Sequence, residues 1–259
     1  MQPSRRNAES GQNGMSGGWT TVQVLAVIFV ATLIRSAFGF GEALVAVPLL
    51  ALLMPVEIAA PLAVLLSITV AGVVILQDWR KIHFRSAAWL ILFTLFGIPV
   101  GLLLLTRTAE TVVKAILGLV IIVFSLYCLF RRSQFELKTD RLAWIFGFSA
   151  GVLGGAYGMN GPPLVVYGSL RRWSPEQFRA TLQGYFLPAS LMVLSGYWLK
   201  NLWVDDVTRY YLLSLPVAVA AIFLGRVVNQ RLDGRRFQRY VHCGLIAVGT
   251  VLLIQSLRR

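Results

Sequence analysis

The chain reads as an all-α polytopic membrane protein. It is built as an inverted repeat of two halves, each with a glycine-broken or re-entrant helix pair plus three transmembrane helices. Three observations lead there. The 259 residues are 57% apolar and only 14% charged, with a mean hydropathy of +0.71, which soluble enzymes and helical solenoids of this length do not reach without membrane spans. Apolar runs at Trp19–Ile34, Ile58–Leu76, Ala87–Leu105, Val112–Phe130 and Tyr211–Leu224 are long enough, or nearly so, to cross about 30 Å of hydrocarbon. Two stretches, Arg35–Leu50 (RSAFGFGEALVAVPLL) and Gly154–Leu170 (GGAYGMNGPPLVVYGSL), each interrupt an apolar run with glycines and polar groups and then resume it. No alternating ten-residue pattern recurs, so barrel strands are excluded.

The two interruptions are copies of one plan. An offset of 119 residues pairs Ala37 with Ala156, Phe38 with Tyr157, Gly39 with Gly158 and Val47 with Val166. Continued, it pairs Glu57 with Glu176, Trp79 with Trp198 and Lys81 with Lys200, and beyond that the match drifts by a few residues. A duplicated unit results, with the two breaks expected to face each other.

Residues 1–18 are polar and rich in Gly, Ser and Asn, the composition of a disordered tail. They do not read as a secretory leader, because no apolar core follows Arg5 and Arg6 until Val22 and no small-residue cleavage site follows that run. The first repeat spans 19–130. Its opening run, Trp19 to Phe38, ends at the Gly39–Gly41 break, and a short piece, Ala43–Leu53, is closed by Pro55. Eleven helical residues rise only about 16 Å, so this piece enters the bilayer and stops. Longer runs follow at Glu57–Gln77, Ala87–Leu105 and Val112–Phe130, and the polar linker 131–141 then separates the halves.

The second repeat, 142–257, keeps the order. Leu142–Tyr157 leads into the Gly158–Pro163 break and the short piece Leu164–Leu170. Ser174-Pro175-Glu176 then marks a helix start, with an N-cap serine, a proline in the first turn and a carboxylate at the positive end of the dipole. The remaining runs are Phe178–Leu199, Tyr210–Leu224 and Phe237–Leu257.

Five segments per half, an odd number, make the second half enter from the opposite side. The formal net charge of +13 is distributed accordingly. If each short segment returns the chain to the side its predecessor left, fifteen basic residues fall in loops on one side and eight on the other, and Arg35 belongs to no loop. Merging the short segments with their predecessors erases the bias. The positive-inside rule therefore selects the first arrangement, in an inner (cell) membrane with both termini non-cytoplasmic. Charges clustered in short loops are orientation signals rather than a nucleic-acid surface.

The chemistry lies at the breaks. A basic residue at the end of an apolar run, with a carboxylate seven residues later, is costly in lipid and faces a cavity or a partner. Arg35 and Glu42 flank the Gly39/Gly41 break and can pair across it as a structural tie. In the functional reading Arg35 anchors a small anion and Glu42 accepts a proton when the site fills; the two readings are compatible. The second break is neutral. Asn160 can cap the short helix that follows, and a half-helix N-terminus at mid-bilayer favours an anion. Pro162 and Pro163 each remove a donor, leaving Gly161 and the residues from Leu164 onward to supply amides. Gly158 completes this break.

Arg179 and Gln183, four residues apart, fall in the first turns of the helix after Pro175. Gln183 can point into the core, and Arg179 either guards the mouth of the site or snorkels to the interface. Gly147, Gly151 and Gly155, with Gly97 and Gly101, have the spacing of close helix packing and carry no ligand role. Trp19, Trp198, Trp203, Tyr210 and Tyr211 sit near span ends, as in aromatic belts.

The two cysteines, Cys128 and Cys243, lie inside apolar runs and suggest neither metal nor disulfide. The histidines are His83 in a basic loop and His242 in the last helix. Without an HExxH motif or paired intramembrane aspartates, neither a membrane-embedded enzyme nor any cofactor is indicated. A non-transporting assembly protein fits poorly, because irregular backbone at membrane depth is tolerated mainly where it lines a cavity. An anion channel remains the alternative to a carrier.

At GFGEALVAVPLL (Gly39–Leu50) and GMNGPPLVVYGSL (Gly158–Leu170) the chain resembles the TauE/SafE family of sulfite-exporter-like permeases. The resemblance covers nearly everything from Trp19 to Leu257. It implies two homologous halves and transport of small sulfur-containing anions such as sulfite or organosulfonates. The family pattern often has consecutive glycines, whereas this chain places Glu42 and Asn160 beside its breaks.

The charge partition predicts a cytoplasmic 131–141 linker. In a cysteine-free background, a single cysteine at Ser133 is expected to resist an impermeant thiol reagent in intact cells and to react after permeabilisation. Strong labelling of intact cells would invert the topology.

Overall fold

The computed structural model describes residues 6–38, 40–78, 83–130, 136–231 and 234–257. Among them there is no strand, and ten α-helices follow one another: α1 (Arg6–Phe38), α2 (Glu42–Leu50), α3 (Val56–Asp78), α4 (Phe84–Arg107), α5 (Glu110–Phe130), α6 (Ala143–Tyr157), α7 (Gly161–Leu170), α8 (Pro175–Leu199), α9 (Asp205–Arg231) and α10 (Gly234–Leu257). The backbone of α1 is helical upstream of the apolar run, from Arg6.

Helix boundaries keep the register of the sequence repeat. Phe38 and Tyr157 end the first helix of each half, Glu42 and Gly161 open the second, and Val56 and Pro175 open the third; each pair is 119 residues apart. Contacts between the halves follow an exchange rule. Helix α1 lies on α9 and α4 on α6, α3 lies on α8 and α5 on α10, and α4 meets α8 as α3 meets α9. With α1–α5 matched in order to α6–α10, each contact maps onto itself or onto another of the set.

Among the described residues, five helices contain apolar stretches long enough to cross a bilayer: Gly18–Ser36, Val56–Val73, Phe84–Arg107, Glu110–Phe130 and Asp205–Gly225. Phe96, Leu103, Leu119, Leu212 and Phe223 point outward, whereas Thr32, Arg35, Glu42, Ser67, Asn160, Gln183 and Ser190 are buried. An apolar exterior around a polar interior suits lipid as solvent. Helix α8 contributes to that interior: its Thr181, Gln183 and Ser190 all turn inward. Helices α2 and α7, of 9 and 10 residues, rise only about 14–15 Å and cannot cross alone.

The tightest seam joins α4 to α6, and glycine makes it possible. A Cβ on Gly97 or Gly101 would overlap the carbonyl oxygens of Phe148 or Val152, and one on Gly147 would come within 2.5 Å of the Leu90 carbonyl. Gly151 and Gly155 meet the carbonyls of Thr94 and Ile98 in the same way. The backbones are close enough for the Thr94 hydroxyl to donate to the Gly147 carbonyl at 2.9 Å. In lipid this contact replaces the hydrophobic drive that would join helices in water.

The linker is fastened to α7. The Leu137 amide donates to the Leu170 carbonyl at 2.8 Å, and Arg171 donates to the Leu137 carbonyl at 2.9 Å. A 3-10 turn at Asp140–Leu142 precedes α6. The Asp140 carboxylate accepts from Ser86 at 2.7 Å and from Tyr167 at 2.6 Å, with Arg171 3.5 Å away. Burial raises its pKa, but the Tyr167 and Ser86 hydrogen bonds and the charges of Arg171 and His83 outweigh burial and hold it below the usual value. A depressed carboxylate contributes stability that is present at neutral pH and fades only as pH falls through the lowered value.

Gly151→Ala is expected to cost about 1–3 kcal/mol through overpacking, because the methyl group meets backbone and not a side chain that can turn aside. A lower thermal midpoint in detergent would show it. Gly244→Ala, where nothing lies within 4 Å of the added carbon, serves as the control.

Candidate functional site

Each break is made by a glycine in the left-handed region. Gly158, at φ +64°, ends α6, and the amides of Gly158 and Met159 close onto the carbonyls of Gly154 and Leu153 at 2.7 and 3.2 Å. A side chain there would also meet the Ala60 carbonyl at 2.8 Å. Gly41, at φ +100°, is the N-cap of α2. A bulkier residue at either position would strain the backbone and shift the helix it adjoins.

The first break brings Arg35, in the last turn of α1, against Glu42, the first residue of α2. Each charge sits at the helix end whose dipole favours it. Arg35 Nη1 lies 2.6 Å from Glu42 Oε2, with both side chains at most 4% exposed. The same nitrogen donates to Ser67 of α3 at 2.8 Å, and Nη2 donates to the Gln183 side-chain oxygen of α8 at 3.0 Å. The second carboxylate oxygen accepts from Thr32 at 3.0 Å. The guanidinium also lies 5.3 Å from the Phe186 ring centroid, within range of a cation–π attraction. One arginine thus ties both halves together through three neighbouring helices.

The second break is packed differently. The sequence reading has Asn160 capping α7. Asn160 does stand at the N-cap position, but its side chain makes no cap hydrogen bond. The reason is chemical: an N-cap oxygen accepts from the second or third helical amide, and those residues are Pro162 and Pro163, which have none. The Asn160 side chain lies instead over Gly154, where a Cβ would come within 2.8 Å of its Nδ2.

Between the breaks lies a cavity bounded by Arg35, Gly41, Glu42, Asn160, Gly161 and Phe186, with Phe40, Ser67, Phe124, Gly158 and Met159 completing much of the wall. It is small. About 30 Å³ is open to the centre of a water molecule, which corresponds to roughly two waters. Two donors at this wall, Arg35 Nε and Asn160 Nδ2, are buried without a hydrogen-bond partner of good geometry, Asn160 having only a weaker approach to the Tyr185 hydroxyl. Unpaired buried donors carry the full cost of desolvation, and both are on residues that line one cavity.

A family model described as "Sulfite exporter TauE/SafE" matches residues 24–252. The chain belongs to the TauE/SafE family. It is therefore a multi-pass membrane transporter and not an enzyme. The chain is 23% identical over 239 residues to the "Probable sulfite/organosulfonate exporter TauE" of Cupriavidus necator, an alignment covering 90% of this chain and 93% of that protein. No solved structure matches.

Of the residues singled out in this TauE/SafE sequence, Arg35, Gly41, Glu42, Gly158, Asn160 and Gly161 meet at one cavity, and Gln183 joins them through Arg35. Gly39 and the Arg179 side chain lie outside the described residues. Ser67, Phe186 and Thr32 were missed. The repeat held a signal for two of them: Ser67 and Phe186 are 119 residues apart, so equivalent positions in the two halves line the same cavity.

Breaking a buried ion pair on one side leaves an uncompensated charge and costs about 3–5 kcal/mol, whereas removing both charges costs much less. Arg35→Gln is therefore expected to lower the thermal midpoint strongly and Arg35→Gln/Glu42→Gln to recover most of the loss. Additive losses in the double variant would mean that the two side chains do not act as a pair.

Proposed function

We propose that this protein is a secondary carrier of small anions, sulfur-containing ones such as sulfite or organosulfonates, and that the cavity between the two breaks is its substrate site. The observation that carries this reading is the pair of under-satisfied donors, Arg35 Nε and Asn160 Nδ2, at one buried cavity bounded by both helix breaks. An oxyanion supplies the acceptors they lack. The printed name of the Cupriavidus necator relative suggests the sulfur chemistry. The halves are inverted about the membrane plane, and the 131–141 linker faces the cytoplasm of an inner-membrane protein. A site with space for about two waters is narrower than a sulfonate, so loading widens it. Phe40, whose ring meets Phe178 edge-on at 6.0 Å, forms part of that wall.

Transport is coupled to protons through Glu42. A permanent carboxylate repels an anion 4 Å away by roughly 4 kcal/mol at an effective dielectric near 20, and Arg35 alone cannot neutralise two anions. A proton taken up by Glu42 as the anion binds frees Arg35 for the substrate, and its release on the other side resets the pair. Thr32 and Ser67, which hold the carboxylate and the guanidinium in place, keep both groups oriented through the exchange.

In proteoliposomes, wild-type protein is expected to accumulate sulfite or a sulfonate when a pH gradient is imposed. Glu42→Gln mimics the protonated form. It is expected to keep anion binding, measured as thermal stabilisation by ligand, and anion exchange, while losing gradient-driven accumulation. A folded Glu42→Gln protein that concentrates substrate as well as wild type does would remove the proton-carrier role. If neither sulfite nor sulfonates stabilise or cross with the wild-type protein, the sulfur-anion assignment falls.

A further inference from the structure

A second polar cavity lies away from the central site, at the end of the bundle that carries the inter-repeat linker. It is a groove of about 410 Å³ between the starts of α4 and α6. Arg85, the second residue of α4, and Arg141, in the turn before α6, stand on its wall. Both are exposed, and neither forms an ion pair among the described residues. The acidic group nearby, Asp140, is already engaged by Ser86, Tyr167 and Arg171, so the two guanidinium groups keep an unbalanced positive charge. Helix α6 starts beside the groove without a side-chain cap, and its dipole adds to the same field.

Thr139 and the already engaged Asp140 share that wall, and the rest of it is aromatic. Trp89, Phe93 and Trp144 line the groove, with the Trp89 and Phe93 rings stacked at 5.9 Å. Trp89 is 44% and Trp144 52% exposed, although each lies within the first two turns of an apolar helix. Five residues separate the helix start at Phe84 from Trp89, a rise of about 7 Å. Tryptophans this close to the start of a spanning helix suit the boundary between headgroup and acyl chain, where tryptophan concentrates. The groove therefore presents cations at the water side and flat apolar rings toward the hydrocarbon.

We propose that this groove is a binding site for the headgroup of an anionic phospholipid, with the phosphate held between Arg85 and Arg141 and the first acyl carbons against Trp89, Phe93 and Trp144. Arginine suits the phosphate because its planar donors can engage two oxygens at once. A zwitterionic lipid brings its own cation into the field of two arginines and binds more weakly. Because α4 and α6 touch backbone to backbone, a lipid clamped across their starts braces the tightest seam of the fold.

The test uses the full-length protein purified in a neutral detergent. Phosphatidylglycerol is expected to raise the thermal midpoint by several degrees more than phosphatidylcholine. That difference should vanish in Arg85→Gln/Arg141→Gln and persist in Arg107→Gln, a control at the other end of α4. Equal effects of the two lipids, or an undiminished preference in the double variant, would overturn the proposal. A comparable rise with inorganic phosphate alone would reassign the groove to a free ion. Should the double variant not fold, wild-type protein decides. Brominated phosphatidylglycerol is expected to quench tryptophan fluorescence saturably, to be chased by unlabelled phosphatidylglycerol and not by phosphatidylcholine, and to lose much of its effect in Trp89→Phe/Trp144→Phe. Quenching chased equally by both lipids overturns it.

Discussion

Everything at the centre of this protein depends on keeping one cation and one carboxylate together away from bulk water. Arg35 and Glu42 are both almost fully buried, and an isolated charge there would cost several kcal/mol after relaxation. The fold meets this constraint by interrupting a helix between them. In a continuous helix, residues seven apart lie about 10 Å apart along the axis, so the two side chains would have to stretch fully along the helix surface to meet. The left-handed Gly41 folds the chain back, so that the C-terminal end of α1 and the N-terminal end of α2 converge. Thr32, Ser67 and Gln183 then engage the second carboxylate oxygen and both Nη atoms from three helices, leaving Arg35 Nε without a partner. The pair is thus less a source of stability than a reason for the helices to meet at this point.

A centre of this kind needs a rigid surround, and different residues supply it. Glycines let α4 and α6 approach until carbonyl oxygens of each lie against the Cα atoms of the other. This seam carries Thr94 to within 2.6 Å of the Tyr185 hydroxyl, and Tyr185 stands beside Phe186 at the cavity wall. On the linker side, Leu137 and Asp140 hold the far end of α7. The short helix that begins at the cavity is therefore anchored where it ends. Only its first turn, beside Asn160, lacks such a hold.

Much of this was legible in the sequence because the signals were local. A glycine pair inside an apolar run, a charge seven residues from its opposite, and a spacing of four between glycines each follow from helix geometry alone. The repeat offset even fixed the register of helix boundaries. Other features were not legible, because they depend on what a side chain meets across the fold. Asn160 has the residue type of a cap, but two prolines remove the amides it would serve. Ser67 is one hydroxyl in an apolar run, and nothing near it in sequence marks it as a partner of Arg35. The purely apolar Phe186 matters through the ring face it offers the guanidinium. The docking of the linker on α7 joins residues whose neighbours carry no shared pattern.

The repeat is not chemically even. At the positions equivalent to Arg35 and Glu42 the second half has Gly154 and Gly161, so one half supplies the charges and the other supplies vacancy. Nothing comes closer to a side chain at Gly161 than the Phe186 ring, 3.9 Å away. A perfectly even molecule could exchange the shapes of its halves and arrive at a state of identical energy. This one cannot: wherever the halves trade shapes, the buried charges stay with the first. In a carrier of the proposed kind, the states open to the two sides are therefore unequally populated at rest, by tenfold for each 1.4 kcal/mol of difference, before any gradient acts.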